Sequence, residues 1–333
     1  MRRDVGWIRG LALTVLVMLL SAPFGLAAAA APGQGGSAVT QQPAVIMAGA
    51  DKASMLAVAR AGRRIVAVGE HGIVLLSDDD GATFRQARAV PTRTTLNSVT
   101  FVDDKEGWIA GHWGVVLHTT DGGETWAIQR QDLNVDQPLF AVYFADKQNG
   151  FAAGLWSLML ATHDGGQSWS PIALPPPKGA DKADKNLYQI LSNGKGLLVL
   201  ATEQGYVYRS EDSGRTWTVV ESGNPGSFWT GLFLDDGSIL LGGLRGALYR
   251  STDGGLAWTS LDSGTKSSIT GLADLPDGTI VAVALDGVTA VSKDHGKSFT
   301  ASQREDRLSL NAITVNAGGR PVIASGQGMQ PGS

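Results

Sequence analysis

The stretch LHTTDGGETW, residues 117–126, sets one acid and two adjacent glycines between a strand-like run and a tryptophan. Such a segment serves as a catalytic loop, a metal loop or a turn, and its copies decide which. Close relatives read LSDDDGATF (76–84), ATHDGGQSW (161–169), RSEDSGRTW (209–217), RSTDGGLAW (250–258) and VSKDHGKSF (291–299). All six fit Ser/Thr-x-Asp-x-Gly-x-Thr/Ser-Trp/Phe, with Ala257 the one clear lapse. Their acids, Asp79, Asp121, Asp164, Asp212, Asp253 and Asp294, recur every 41 to 48 residues. A strand-rich period in the low forties marks a propeller. Six copies of one catalytic or metal loop would need the same chemistry six times, so the motif reads as a turn. Its short carboxylate accepts hydrogen bonds from turn amides, its hydroxyls bridge the loop, and Gly123 takes a conformation that a side chain would hinder. Even DDDG, residues 78–81, lacks the other ligands of a calcium loop.

Residues 96–130 show one repeat in full. The run NSVTF, a turn VDDKEG, a buried run WIAG, a tight HWG turn, a run VVLHT, the motif and a last run TWAIQR make four strands joined by hairpins, which is one blade. The turn residue before the third strand is His71, Trp113, Trp156, Gln204, Arg245 or Asp286, each eight residues ahead of its blade's Asp. Six units run over residues 55–299, and LSLNAITVNAGGRPVIASGQG (308–328) supplies two strands of another, with Gln327 at the turn position. Ahead of the first unit, PAVIMAG (43–49) is an apolar run without a blade. The expectation is an all-β, seven-bladed β-propeller of four-stranded antiparallel blades, closed by N- and C-terminal strands sharing the last blade, which removes open edges. Six or eight blades are the alternatives.

The composition narrows the function. The chain has 333 residues and a formal charge of −4, so nucleic acid is not its natural partner. It has no cysteine, which excludes disulfides, thiolate metal sites and a thiol nucleophile. Arg2, Arg3 and Arg9 precede an apolar run and then small residues, so residues 1–31 read as a signal peptide and the mature protein as exported, with no lipid-bearing Cys and no stable membrane insertion afterwards. Residues 32–42 read as a flexible leader and 43–333 as the single propeller domain. PPPKGADKADK, residues 175–185, reads as a surface insertion because the repeat resumes in register after it.

The repeated turn is the Asp box, or BNR repeat. The longer phrase GWIAGHWGVVLHTTDGGETW, with LNSVTF before it, resembles the photosystem II stability and assembly factor family, including bacterial relatives outside photosynthesis. The resemblance covers about residues 43–328. It implies a seven-bladed, periplasmic or thylakoid-lumenal, non-enzymatic scaffold that holds a membrane-protein intermediate during assembly. The basic patch attributed to that family matches no individual residues here.

In a propeller, the turns between second and third strands and the connections between blades share one face, opposite the Asp boxes. That face is the expected partner site for a membrane or envelope protein, with no cofactor, no metal and a monomeric chain. Its candidates are His71, His112, Trp113, Trp156, Gln204, Arg245 and Asp286 from the turns, and Phe140, Tyr188 and Trp229 from a second ring at the starts of the first strands. That ring continues with Leu56, Asn97, Ile269 and Asn311. Many large rings at turn positions point to binding, because aromatic residues and Arg dominate interface energetics. Plugging the channel or padding neighbouring blades is the competing role. Arg88, Arg93, Arg130, Arg304 and Arg307 are candidates for a positive rim, ordinary solvated surface being the alternative. The alternative function is a sialidase-like glycan-hydrolysing or glycan-binding propeller. Against hydrolysis, Tyr208 and Tyr249 sit at equivalent core positions, and Glu70 and Glu203 lie blades apart, with no spacing that makes them a catalytic pair.

Overall fold

The computed structural model describes residues 41–331; the signal peptide assigned to 1–31 and nearly all of the leader lie outside the described residues. Seven antiparallel sheets follow one another along the chain, at residues 55–86, 96–130, 139–171, 187–221, 228–261, 269–303 and 310–331, and are called blades one to seven. Strand order within each sheet is sequential, as hairpin connections dictate. Blade one shows the plan, with strands Met55–Ala61, Arg64–Gly69, Val74–Ser77 and Arg85–Gln86.

Burial follows from stacking blades face to face. A second strand has a neighbouring blade on both faces, so it reads as a continuous apolar run. Gly107–Gly111, Gly150–Gly154, Leu198–Thr202, Ile239–Gly243 and Ile280–Ala284 are buried at every residue. Fourth strands such as Thr259–Leu261 form the rim and carry polar residues. The core is thus a series of inter-blade layers, such as the one holding Leu76, Leu96, Ile109 and Trp126.

Each innermost strand carries a β-bulge after its first residue. The residues skipped in the pairing are Leu56, Asn97, Phe140, Tyr188, Trp229, Thr270 and Asn311. Bulges re-aim side chains, and these seven line the central channel. The seventh blade brings one correction. Among the described residues it has three strands, Leu310–Val315, Pro321–Ser325 and Gly328–Pro331, all from the C-terminal end. Residues 43–49 add no strand to it, because blade one captures them. Gln86 donates from Nε2 to the Val45 carbonyl at 2.8 Å and accepts from the Met47 amide at 3.2 Å, while the Ala44 amide bonds the Val90 carbonyl at 2.9 Å.

The ring closes instead by the bonds used at other junctions. Asn311 Nδ2 donates to the Met55 carbonyl at 2.9 Å, as Asn97 Nδ2 donates to Leu139, also at 2.9 Å. A short 3-10 turn, Ala50–Lys52, lies over the hairpin of blade seven. There a Cβ on Gly328, whose φ is 87°, would stand 1.9 Å from the Asp51 carbonyl oxygen, so only glycine fits.

Candidate functional site

The Asp boxes are closed hydrogen-bonded units. In blade four, Ser210 Oγ donates to Asp212 Oδ1 at 2.8 Å and accepts from the Gly214 amide at 2.8 Å. Asp212 also accepts from the Thr216 amide and hydroxyl at 2.9 and 2.6 Å. The same bonds recur around Asp79, Asp164 and Asp294. The hydroxyl and amide of residue 83, 168 or 216, with help from the Ser or Thr that opens the box, hold the carboxyls of Asp79, Asp164 and Asp212 down to about 2, and the Asp294 carboxyl is lowered in the same way. Burial opposes ionisation at Asp121, but bonds from Thr125 and Thr119 outweigh it. The carboxylates are spent on their own turns; the turns between second and third strands lie on the opposite face.

On that face, each turn between second and third strands is a tight bend whose central residue takes a left-handed conformation. His71, Trp113, Trp156, Gln204, Arg245 and Asp286 have φ between 53° and 58°. A non-glycine residue there is strained, and this strain repeats with the blades. The next residue is left-handed too, and it is Gly72, Gly114, Gly205, Gly246 or Gly287 in five blades. Blade three alone places Ser157 there, with φ 58°, its amide and hydroxyl bonded to the Lys185 carbonyl at 2.8 and 3.1 Å. The insertion therefore holds this turn. Trp156 stands on it, 62% exposed, with its amide donating to Asn186 Oδ1 at 3.1 Å.

The sequence candidates do not form one continuous patch. Phe140, Tyr188 and Trp229 meet at the channel, where the Phe140 and Tyr188 rings stack with centroids 5.6 Å apart. They form an aromatic arc over blades three to five. The rest of the ring is Leu56 and three polar residues, of which Thr270 Oγ1 donates to the Leu310 carbonyl at 2.6 Å and Asn97 and Asn311 make the bonds given above. Ile269 is a correction. It is fully buried and paired with Ala284, because the bulge falls one residue later and gives the channel position to Thr270.

Trp156 and Gln204 share a separate cleft of about 670 Å³ with Lys182, Lys185, Asn186 and Glu203. Asn186 joins the two features, since it caps the Trp156 turn and its Nδ2 reaches the Tyr188 hydroxyl at 3.5 Å. Burial, with the Glu203 charge, raises the Tyr188 phenol, which is therefore neutral at physiological pH. Glu203 is held by the Asn186 amide at 3.1 Å. The cleft was invisible to the blade template because the insertion builds it. The one sequence signal was Ser157 where every other turn has glycine.

The other candidates stand apart from this cleft. His71, Arg245 and Asp286 are exposed on their own turns. His112 and Trp113 are half-buried around Asp136, which accepts from the Trp113 amide at 2.7 Å and lies 3.3 Å from His112 Nδ1, while the Trp113 ring packs on the core layer of blades one and two. Of the arginines considered for a positive rim, Arg307 is exposed in the connection after blade six, and the other four are engaged elsewhere. Arg88 lies 3.8 Å from Asp121, on the Asp-box face, and Arg304 pairs with Asp306 at 2.7 Å. Arg93 donates to the Pro43 carbonyl at 2.9 Å, and Arg130 is half-buried on the Gly114 carbonyl at 2.6 Å, its guanidinium lowered by burial. Among the described residues no group of three or more His, Cys, Asp or Glu could hold a metal ion, and no helix is long and apolar enough to cross a membrane.

Fold and site together define an Asp-box β-propeller, one face built of hydrogen-bonded Asp-box turns and the other bearing the strained turns between second and third strands. The family model described as photosynthesis system II assembly factor YCF48 matches residues 86–239, from the last strand of blade one into blade five. The chain is similar to the photosystem II assembly protein Ycf48 of Thermosynechococcus vestitus, 39% identical over 135 residues, which are 40% of this chain and 38% of that protein. It is similar to the same degree, over 136 residues, to the photosystem II assembly lipoprotein Ycf48 of Picosynechococcus sp.. The match thus spans under two-fifths of either relative's length. A solved structure of YCF48 bound to a D1 peptide superposes with a TM-score of 0.68 at 19% identity, covering 84% of this chain and 92% of that one, a likeness of fold.

Proposed function

We propose that this propeller is a non-catalytic, exported scaffold that holds a segment of a membrane or envelope protein during assembly or transport. Its contact surface is the aromatic arc of Phe140, Tyr188 and Trp229 with the adjoining Trp156 cleft. The observation that carries this reading is Trp156, a large apolar side chain left in solvent on a strained turn that the chain's own insertion holds in place. Strain kept at an exposed aromatic residue is characteristic of binding sites. The naming of relatives as assembly factors, one as a lipoprotein, and the solved relative bound to a peptide support this class of partner and an extracytoplasmic location. Hydrolysis draws no support, because Glu203 is committed to a backbone amide and Glu70 lies three blades away.

Crosslinking and affinity capture from the source membranes test this with Trp156→Ala and Trp113→Ala. The first should lose the captured protein and keep wild-type stability. The second should lose stability, since its ring pads a core layer. Unchanged capture with Trp156→Ala would overturn the proposed surface, and hydrolysis of a sialoside by the purified protein would overturn the non-catalytic reading.

A further inference from the structure

The residue after each box Asp offers a carbonyl at the junction with the preceding blade. In five boxes a side chain of that blade donates to it. Asn316 Nδ2 reaches Asp80 at 2.8 Å, Arg64 Nη1 reaches Gly122 at 3.0 Å, and Trp108 Nε1 reaches Gly165 at 3.2 Å. Arg209 Nε reaches Gly254 and Arg250 Nη1 reaches His295, both at 3.0 Å. The sixth carbonyl, that of Ser213 in blade four, accepts no hydrogen bond from any described residue.

Register explains the gap, because blade three has a non-bridging residue at each position used elsewhere. Phe151 aligns with Trp108 and has no N–H, and Ala161 aligns with Arg209 and Arg250. Asn149 aligns with Arg64, but its Nδ2 is turned to Asp146 at 3.0 Å. The junction also lacks a ring. Trp108 stacks on Phe144 with centroids 3.5 Å apart, whereas the residue of blade four that aligns with Phe144 is Ser192. A serine in place of a phenyl ring leaves a cavity of about 370 Å³, with Phe151, Leu198, Ser192, Ser213 and Arg215 on its walls. That volume suits a small ligand. Arg215 is exposed and has no ion pair among the described residues.

We propose that this cavity, on the Asp-box side of blades three and four, binds an indole ring, either a tryptophan side chain of a partner segment or a free indole compound. The ring occupies the space that Phe144 fills one junction earlier, and its N–H donates to the Ser213 carbonyl as Trp108 donates to Gly165. Its faces meet the apolar walls of Phe151 and Leu198, and the Arg215 guanidinium can stack on it. The site is independent of the Trp156 cleft on the opposite face.

Calorimetric titration of the full chain with indole, N-acetyltryptophanamide and their N1-methyl analogues tests this. Saturable binding of the parent compounds, weakened about tenfold by N1-methylation, is expected for a ring bonded through its N–H. Tighter binding of the amide identifies a peptide source, and tighter binding of indole a free compound. Ser192→Phe, which also removes the hydroxyl that accepts from the Tyr143 hydroxyl at 2.9 Å and the Gly194 amide at 3.0 Å, should fill the cavity and abolish binding with the folded circular-dichroism spectrum retained, while Arg215→Ala, at an exposed position, should weaken binding several-fold. Equal affinity for the N1-methyl compounds, binding that survives Ser192→Phe, or no saturation in the millimolar range would each overturn the proposal.

Discussion

Truncating one Asp-box hydroxyl at a time separates structural from functional readings of the repeat. Ser210 is 2% exposed, and its Oγ both accepts from the buried Gly214 amide and donates to Asp212. Ser210→Ala strands that amide and removes a partner of an ionised carboxylate. A buried donor left unpaired costs about 1–3 kcal/mol, and a hydrogen bond to a charged group contributes about 1.5–3, so a loss of about 2–4 kcal/mol is expected. For a chain of this size that lowers Tm by roughly 3–7 °C. Thr216 is exposed, and Thr216→Ala lets water replace its hydroxyl, so about 0.5–1 kcal/mol is lost. Blade five supplies the control, because Ala257 already lacks that hydroxyl and Asp253 is held by the Leu256 and Ala257 amides, both at 3.0 Å. Ala257→Ser should therefore gain about 0.5–1 kcal/mol. Thermal unfolding by circular dichroism, with partner capture measured in parallel, gives the answer. Equal losses for Ser210→Ala and Thr216→Ala, or lost capture at unchanged Tm, would refute the structural role.

Two expectations concern pH. The box carboxyls of Asp79, Asp164 and Asp212 titrate near 2 in the folded chain, below their ordinary value of 3.8, so their stabilisation is complete above about pH 4 and disappears as pH falls through 2. Tm should be flat from pH 5 to 7 and fall steeply below pH 4; a decline beginning near pH 6 would point to other groups. Asp274 has the opposite sign. Burial, then the charges of Asp235 and Asp277, raise its carboxyl, and Oδ1 has no hydrogen-bond partner among the described residues. Its favourable form is protonated and is lost as pH rises, so Asp274→Asn should raise Tm at pH 7 and change it little at pH 3.

The blade count, the turn register and the structural meaning of the Asp box were legible because each recurs at aligned positions. Features that break the alignment were not. Ile269 was read for Thr270 although Thr270 keeps the common register, sixteen residues ahead of Asp286 as Asn97 is ahead of Trp113, because the connections between blades vary in length and hide where each first strand begins. The run at 43–49 has the apolar character of a strand, yet a single side chain, Gln86, decides where it lies. The inter-blade donors were hidden for a related reason. Arg64, Trp108, Arg209 and Asn316 do one job from four different places in the blade, so no template aligns them.

That irregularity shows where function is to be sought in a repeat protein. Whatever recurs in every blade serves the ring, since each blade must stack on its neighbours and each turn must satisfy its own backbone. A departure serves the ring less well and persists only if something else uses it. Here several departures meet at one junction. The insertion at 175–185, Ser157 in place of glycine, Ser192 where blades two, three and five carry Phe101, Phe144 and Phe233, and the Ser213 carbonyl, unbonded among the described residues, all fall at blades three and four. They open a cleft on one face and a cavity on the other, within the stretch that matches the assembly-factor family. Aromatic residues at the channel mouth occupy the same sector, whereas the remaining bulges carry Leu56 or polar side chains, three of which bond the next blade's backbone. The propeller is thus a largely self-satisfied ring, and if blades three to five are its working sector, as proposed, partner contacts should map there and not to blades one, two, six and seven.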